Sequence, residues 1–397
     1  MLNDAIISFD SGLARDFLAF AAISPLPTAS KLALHAYVDL LAARGAGAMG
    51  AWLEIREQLR IDLAALLGVA PDRIALTHGT THGVQVIAHS LRWDEGRGVL
   101  CFNGEFPANV HTWKNVAEAQ GAQFRLAPLD SIGDGAEGLD ALLEESPTRV
   151  VAVSAVQFQS GRRMPIAAMA AACHRHGAML FVDAVQAAGV APLDLARAGV
   201  DFATGGGHKW LLGGDGAGWL YVAKGCEAQL RPALTGWMSA EDPFRFLSHP
   251  NSLDYNATIQ PIPRCFEANS TSAFSVVSLG ASLKEILKVG VEAIYQATQR
   301  YHDAIEPVLV EGGFVSERSK NLDARSGILS LTPPAGVALH DLQPALAAQG
   351  IVITIPDGRL RIAPHVHNDW RDGGDVGAKI IAGVKDLSPG SQSVTSR

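Results

Sequence analysis

The chain reads as an α/β protein, with a large unit built on a mainly parallel, seven-stranded sheet and a smaller α/β unit after it. Apolar runs near residues 73–77, 98–102, 122–127, 149–154, 178–183, 200–204 and 217–223 alternate with helical stretches. Such alternation produces parallel strands with helices on both faces of the sheet. The runs are also apolar on successive residues, as in Met179-Leu180-Phe181-Val182, which marks strands buried on both sides. With 397 residues, 48% hydrophobic and 18% charged, the chain is long enough for two domains with a substantial core.

In chain order, a mixed arm over residues 1–28 precedes helices near 30–42 and 50–67, and the seven strands then complete a large domain spanning 29–265. Long helical patterns over 266–312 lead into the smaller unit, with strands near 326–332, 351–355 and 359–363; this second domain spans 266–387. The tail, 388–397, is rich in serine and carries Pro389-Gly390, a composition that predicts disorder. Glycine and proline are otherwise spread through the chain, and no internal repeat is visible.

Two residues in this frame carry chemistry. Lys209 closes Gly205-Gly206-Gly207-His208-Lys209, and Asp183 ends the apolar run 179–183. An amine that can hold an aldehyde as a Schiff base, and a carboxylate that keeps a pyridinium nitrogen protonated, are what pyridoxal 5′-phosphate (PLP) chemistry requires. A strand of this kind would deliver Asp183 to the carboxyl edge of the sheet, where α/β enzymes bind ligands. Asp183 would serve equally well as the N-cap of a helix beginning at Ala184. Lys209 lies between three glycines and Trp210-Leu211-Leu212, a setting that suits a lowered amine pKa better than a solvated surface lysine.

A phosphate needs a cradle, and Thr77-His78-Gly79-Thr80-Thr81-His82-Gly83 follows a short strand and opens an apolar-periodic helix. Free amides and hydroxyls at a helix start form an anion site, although a glycine–threonine turn is usually only a turn.

At these residues the chain resembles the fold-type I PLP-dependent enzymes of the class V aminotransferase group, and within it the kynureninase-like and isopenicillin-N-epimerase-like members. The resemblance runs from Phe17-Leu18-Ala19-Phe20-Ala21-Ala22 to Arg361-Ile362-Ala363-Pro364-His365. It implies that Lys209 forms the Schiff base, that Asp183 pairs with the pyridinium nitrogen and that Gln186 lies near the ring hydroxyl. It places Thr80, Thr81 and His208 on the phosphate. In Gly104-Glu105-Phe106-Pro107-Ala108-Asn109 it makes Phe106 the aromatic cover of the PLP ring, against the plainer reading of Phe106 as core packing. It sets Ser154 beside the cofactor. Arg361, between Leu360 and Ile362, becomes the clamp for a substrate α-carboxylate rather than a surface ion pair, because a planar guanidinium binds both oxygens at once. Where relatives carry Gly-Thr reaching the phosphate of the neighbouring subunit, this chain has Asn269-Ser270, so Ser270 is the candidate with Thr271 beside it.

The resemblance further implies a homodimer with a shared active site, acting on an α-amino acid whose Cα proton is moved by the freed lysine. Transamination leads, with β-elimination and epimerisation as alternatives from the same site. A non-catalytic PLP-fold protein is disfavoured by the retained lysine, aspartate, phosphate loop and arginine. The cysteines are Cys101, Cys173, Cys226 and Cys265, none in the C-terminal stretch where cysteine desulfurases keep their sulfur-accepting thiol. Kynureninases carry tyrosine where this chain has His208.

Other site types find little support. His174 and His176 stand two apart on a predicted helix and face different ways, so they suit no metal; His365 and His367 read as structural or cavity-lining. Gly214-Asp215-Gly216-Ala217-Gly218 precedes a strand rather than a helix, which removes a nucleotide loop there, and the lack of a strand, glycine loop and helix fingerprint disfavours a nicotinamide-dependent dehydrogenase. A net charge of −8 without basic runs argues against nucleic acid as a partner. The absence of a signal-like or membrane-spanning run, and scattered cysteines, lead to the expectation of a cytoplasmic enzyme.

Overall fold

The computed structural model describes residues 7–93, 96–337 and 339–387. The tail at 388–397 expected to be disordered lies outside them, as do the first six residues of the arm. Seven strands form the main sheet: β1 (Ile74–Thr77), β2 (Gly98–Phe102), β3 (Phe124–Ala127), β4 (Thr148–Ser154), β5 (Met179–Asp183), β6 (Phe202–Gly206) and β7 (Gly218–Val222). Their order is β1-β7-β6-β5-β4-β2-β3, with β7 antiparallel to both neighbours and every other pairing parallel. The reversal has a simple cause. Residues 207–217 are too few for a crossover of a dozen or more residues, so the chain can only turn back on β6. Lys209 sits on that return loop, just beyond the carboxyl end of β6.

Helices α1 (Thr28–Arg44) and α2 (Met49–Leu67) pack with the helix Ala273–Val289, while α3 (Thr80–Ser90) and α4 (Ala108–Ala119) pack together near the sheet. The strands of the sheet's centre are buried along their whole length, which explains their unbroken apolarity. A buried carboxylate, Glu267, accepts from Arg56 and Arg60 of α2 and from the backbone N–H of Leu76 at 3.0 Å. It thereby ties α2 and β1 to the segment leading to Ser270.

The C-terminal part has its own core, in which Tyr301, Ile305 and Leu309 of the helix Val291–Glu311 meet Leu329, Leu331, Leu360 and Ile380. Its antiparallel sheet is β10 (Leu360–Ile362), β9 (Leu329–Thr332) and β8 (Val315–Ser316) in that order. Here the structure departs from the sequence reading. The expected strand at 351–355 shrinks to Ile351–Val352, which pairs in parallel with Asp16–Phe17 of the arm, and keeps only a single antiparallel bridge, Thr354 to Arg361, to this sheet. Val315–Ser316 takes the third place instead. Two helices, Leu339–Ala347 and Gly373–Leu387, carry no clear signal because one contains Pro344 and the other opens on Gly373-Gly374.

The arm itself is threaded through the molecule. Leu18 donates its N–H to Val352 O at 2.8 Å, Phe20 to Ala363 O at 3.2 Å and Ser24 to His208 O at 2.9 Å. It therefore links the C-terminal unit to the loop that bears Lys209.

Candidate active site

Strands β4, β5 and β6 end side by side: Ser154 is the register partner of Asp183, and Asp183 of Thr204. Their carboxyl ends, the start of α3 and the return loop enclose a cavity of about 710 Å³. It is lined by Thr80, Thr81, Phe106, Asp183, Gln186, His208, Lys209 and Arg361, so eight of the ten residues singled out from the sequence converge on one place.

Each reaches it for a local reason. Gly79 has φ 145°, a conformation glycine adopts without strain, and this turn begins α3. A Cβ on Gly83 would fall 1.9 Å from Thr204 Oγ1, so only glycine lets α3 lie directly against β6. Thr80 Oγ1 is buried with no hydrogen-bond partner, at the positive end of the helix. On the return loop, His208 Nδ1 stands 3.7 Å from Asp215 Oδ1. The Lys209 amine lies over the Phe106 ring, 5.5 Å from its centroid, and Phe106 meets Phe158 edge-on at 5.4 Å. Phe106 is 45% exposed, which rules out plain core packing for it.

Burial sets the charges. It pushes the Lys209 amine down to about 8, against the pull of Asp183 and with help from Arg361. It pushes the Asp183 carboxyl up to about 7, although Oδ1 accepts from Val185 N–H at 2.9 Å and Lys209 acts in the opposite sense. That bond closes a turn rather than capping a helix. Arg361 is 5% exposed; its Nε donates to Thr354 Oγ1 and its Nη1 to Phe158 O, both at 2.9 Å. Among the described residues no carboxylate pairs with it, and burial lowers its pKa to about 10.

The remaining candidates are placed differently. Gln186 lines the cavity, yet its amide donates to Ala21 O at 3.0 Å and accepts from Trp210 Nε1 at 2.8 Å, so it also fastens the arm. Ser154 is not in the cavity lining, and its hydroxyl donates to Glu105. Ser270 lies outside the cavity of its own chain, with Oγ 3.7 Å from Met238 Sδ, whereas Asn269 Oδ1 bonds His78 Nε2 at 2.9 Å. Thr271 Oγ1 is buried without a partner. His365 is fully buried, packed between Phe20 and Trp210, and His174 and His176 pair with Asp201 and Asp140; among the described residues no group of side chains suits a metal ion.

Sequence reasoning missed Glu105. Its carboxylate, 7% exposed, accepts from Ser154 N at 2.7 Å, Gln157 Nε2 at 2.7 Å, Asn109 Nδ2 at 3.0 Å and the Ser154 hydroxyl. It pins the segment carrying Phe106 to the end of β4. The only signal was an acidic residue beside an aromatic in an otherwise uncharged stretch. Glu105→Leu is expected to cost about 3 kcal/mol or more, because it strands buried donors that bonded a charged group. Chemical denaturation measures this, and an unchanged midpoint would show that the network bears no strain.

A cavity with a primary amine of lowered pKa, a buried carboxylate with no cation in hydrogen-bond contact among the described residues and an unpartnered hydroxyl at a helix start fits PLP: aldehyde, pyridinium nitrogen and phosphate each find a complementary group. The arrangement defines a PLP-dependent enzyme that acts on an amino acid. The chain belongs to the class-V aminotransferase family, whose profile, described as Aminotransferase class-V, matches residues 21–362. It is 26% identical over 359 residues to an uncharacterized aminotransferase, YcbU, of Bacillus subtilis, covering 88% of this chain and 90% of that one. A cysteine desulfurase of Enterobacter sp. is 30% identical over 283 residues, covering 69% and 66% respectively. The structure of a cystine C-S lyase, C-DES, in complex with cysteine persulfide superposes with a TM-score of 0.82 at 24% identity, covering 94% of this chain and 98% of that one, and so shares the fold.

Proposed function

We propose that the protein transfers the amino group of an α-amino acid, with Lys209 as the residue that binds the cofactor covalently. Bound PLP supplies an aldehyde that condenses with amines and a ring that withdraws electrons from the substrate Cα. The chain supplies the rest. Thr80, Thr81 and His208 hold the phosphate, Phe106 covers the ring, Gln186 lies by its hydroxyl and Asp183 keeps the ring nitrogen protonated. Ser154 orients this edge through Glu105. Once the substrate amine takes its place, the Lys209 amine is free to move the Cα proton, for which a pKa near 8 suits it. Arg361 holds the α-carboxylate.

The observation that carries this reading is the buried guanidinium of Arg361, without an acidic partner among the described residues, on the same cavity as Lys209 and Asp183. An uncompensated buried cation is costly unless an anion completes it. Similarity over most of both chains to YcbU, which is named an aminotransferase, is in keeping with amino-group transfer. No cysteine lines the cavity among the described residues, which disfavours a cysteine desulfurase that passes sulfur to its own thiol.

Arg361→Ala is expected to raise KM for amino acids roughly 30- to 150-fold, the equivalent of about 2–3 kcal/mol, with little effect on PLP retention. Lysine at the same place should recover only part, since an ammonium lacks the planar fork. The check is to compare amino acids with their decarboxylated amines in both proteins. If the wild type handles both equally, the arginine is structural.

We further propose a homodimer, because Trp237, Phe246, Leu247, Leu253 and Tyr255 expose large apolar side chains within one segment. Ser270 would then serve the partner's phosphate. Four free cysteines, and no described helix long and apolar enough to cross a membrane, are in keeping with residence in the cytoplasm.

A further inference from the structure

A substrate clamped at Arg361 must place its side chain elsewhere in the same cavity, and the lining divides into two kinds of surface. The polar kind gathers at the start of α3 and on the return loop. His78 N–H donates to His82 Nδ1 at 3.3 Å, and a Cβ on Gly206 would stand 2.9 Å from His208 Nδ1 and 3.1 Å from Thr80 Oγ1, so these groups surround the place given to phosphate. Burial holds the His82 and His208 rings below the ordinary histidine range, which leaves them neutral near pH 7. Asp215, also here, brings a further carboxyl group to the lining. The other kind is hydrocarbon: Ala22, Ile23, Phe106, Ala108, Phe158 and Pro356. Among the described residues the lining holds only two lysine or arginine side chains, Lys209 and Arg361, and both are committed to cofactor and α-carboxylate.

We propose that the site selects α-amino acids carrying a single carboxylate and an apolar side chain, and that its amino acceptor is likewise a 2-oxo acid with one carboxylate. This rests on the function proposed above. The reasoning is one of desolvation. A side-chain carboxylate entering this cavity would exchange water for hydrocarbon, with no lysine or arginine of this chain's lining left to meet it. A methylene entering the same space leaves water at a gain.

The test titrates the PLP-loaded protein, in its native assembly, with 2-aminobutyrate, norvaline, norleucine, aspartate and glutamate, following the absorbance of the bound cofactor to obtain dissociation constants. In parallel, the amino acceptor is varied between 2-oxovalerate and 2-oxoglutarate. Each added methylene from 2-aminobutyrate to norleucine is expected to tighten binding about four-fold, the equivalent of its transfer from water. Glutamate is expected to bind at least about 30-fold more weakly than norvaline, and 2-oxoglutarate to be the poorer acceptor. Glutamate or aspartate binding as tightly as norvaline, or 2-oxoglutarate accepting as well as 2-oxovalerate, would overturn the specificity while leaving the proposed reaction standing. No absorbance change with any amino acid, of either kind, would remove both.

Discussion

Replacing Lys209 by alanine is expected to lower turnover by at least about 10³-fold while leaving the chain folded. The amine both anchors the cofactor and moves the substrate proton, and loss of positioned acid–base catalysis alone costs about 10²–10⁴ in rate. Folding should survive because the side chain comes from a loop, and removing an amine whose pKa is already lowered by burial relieves a desolvation cost. Borohydride treatment of the wild-type holoprotein should fix the cofactor on the peptide containing Lys209, and the variant should show no adduct. An adduct on another lysine, or turnover within ten-fold of wild type, would refute the assignment.

Asp183→Asn is expected to be nearly as severe for catalysis and mild for stability. The amide keeps an oxygen for Val185 N–H, so the turn at the end of β5 persists. It cannot favour a proton on the ring nitrogen. Loss of one preorganised electrostatic partner in a dry site is worth roughly 10²–10³ in kcat. The wild-type carboxyl is pushed up to about 7 by burial and has no cationic hydrogen-bond partner of its own, so a pyridinium N–H is what would bring it back to the ionised form. Steady-state kinetics on the purified variant decides the matter. Near-wild-type kcat would mean that Asp183 serves only the turn.

Much of the site was legible before any coordinates because its chemistry restricts residue type. An amine and a carboxylate of this kind cannot be exchanged for other groups, so Lys209 and Asp183 stand out, and Arg361 was singled out by the family resemblance of its segment, its flanks Leu360 and Ile362 weighing against a surface ion pair. The strands of the sheet's centre were legible from unbroken apolarity. What stayed hidden depends on partners far away in the chain. Glu105 gains its role from Ser154 and Gln157, 49 and 52 residues on, and a separate bond to Glu105 occupies the Ser154 hydroxyl. Ile351–Val352 looked like part of the small sheet because local pattern cannot distinguish one edge from another, and its true neighbour is Asp16–Phe17.

The threading of the arm makes the cavity a late product of biosynthesis. Ala21, Ala22 and Ile23 wall the cavity, but the backbone that holds them leans on Val352 and Ala363, synthesised more than 300 residues later. A ribosome releases the large sheet long before those residues emerge, so a nascent chain carries the lysine loop with one wall absent. Closing such a distant contact is slow compared with forming local structure. Competence to retain cofactor should therefore arise only once residue 363 has emerged, and a chain terminated short of residue 351 would keep most of its sheet yet lack the edge on which the arm must dock.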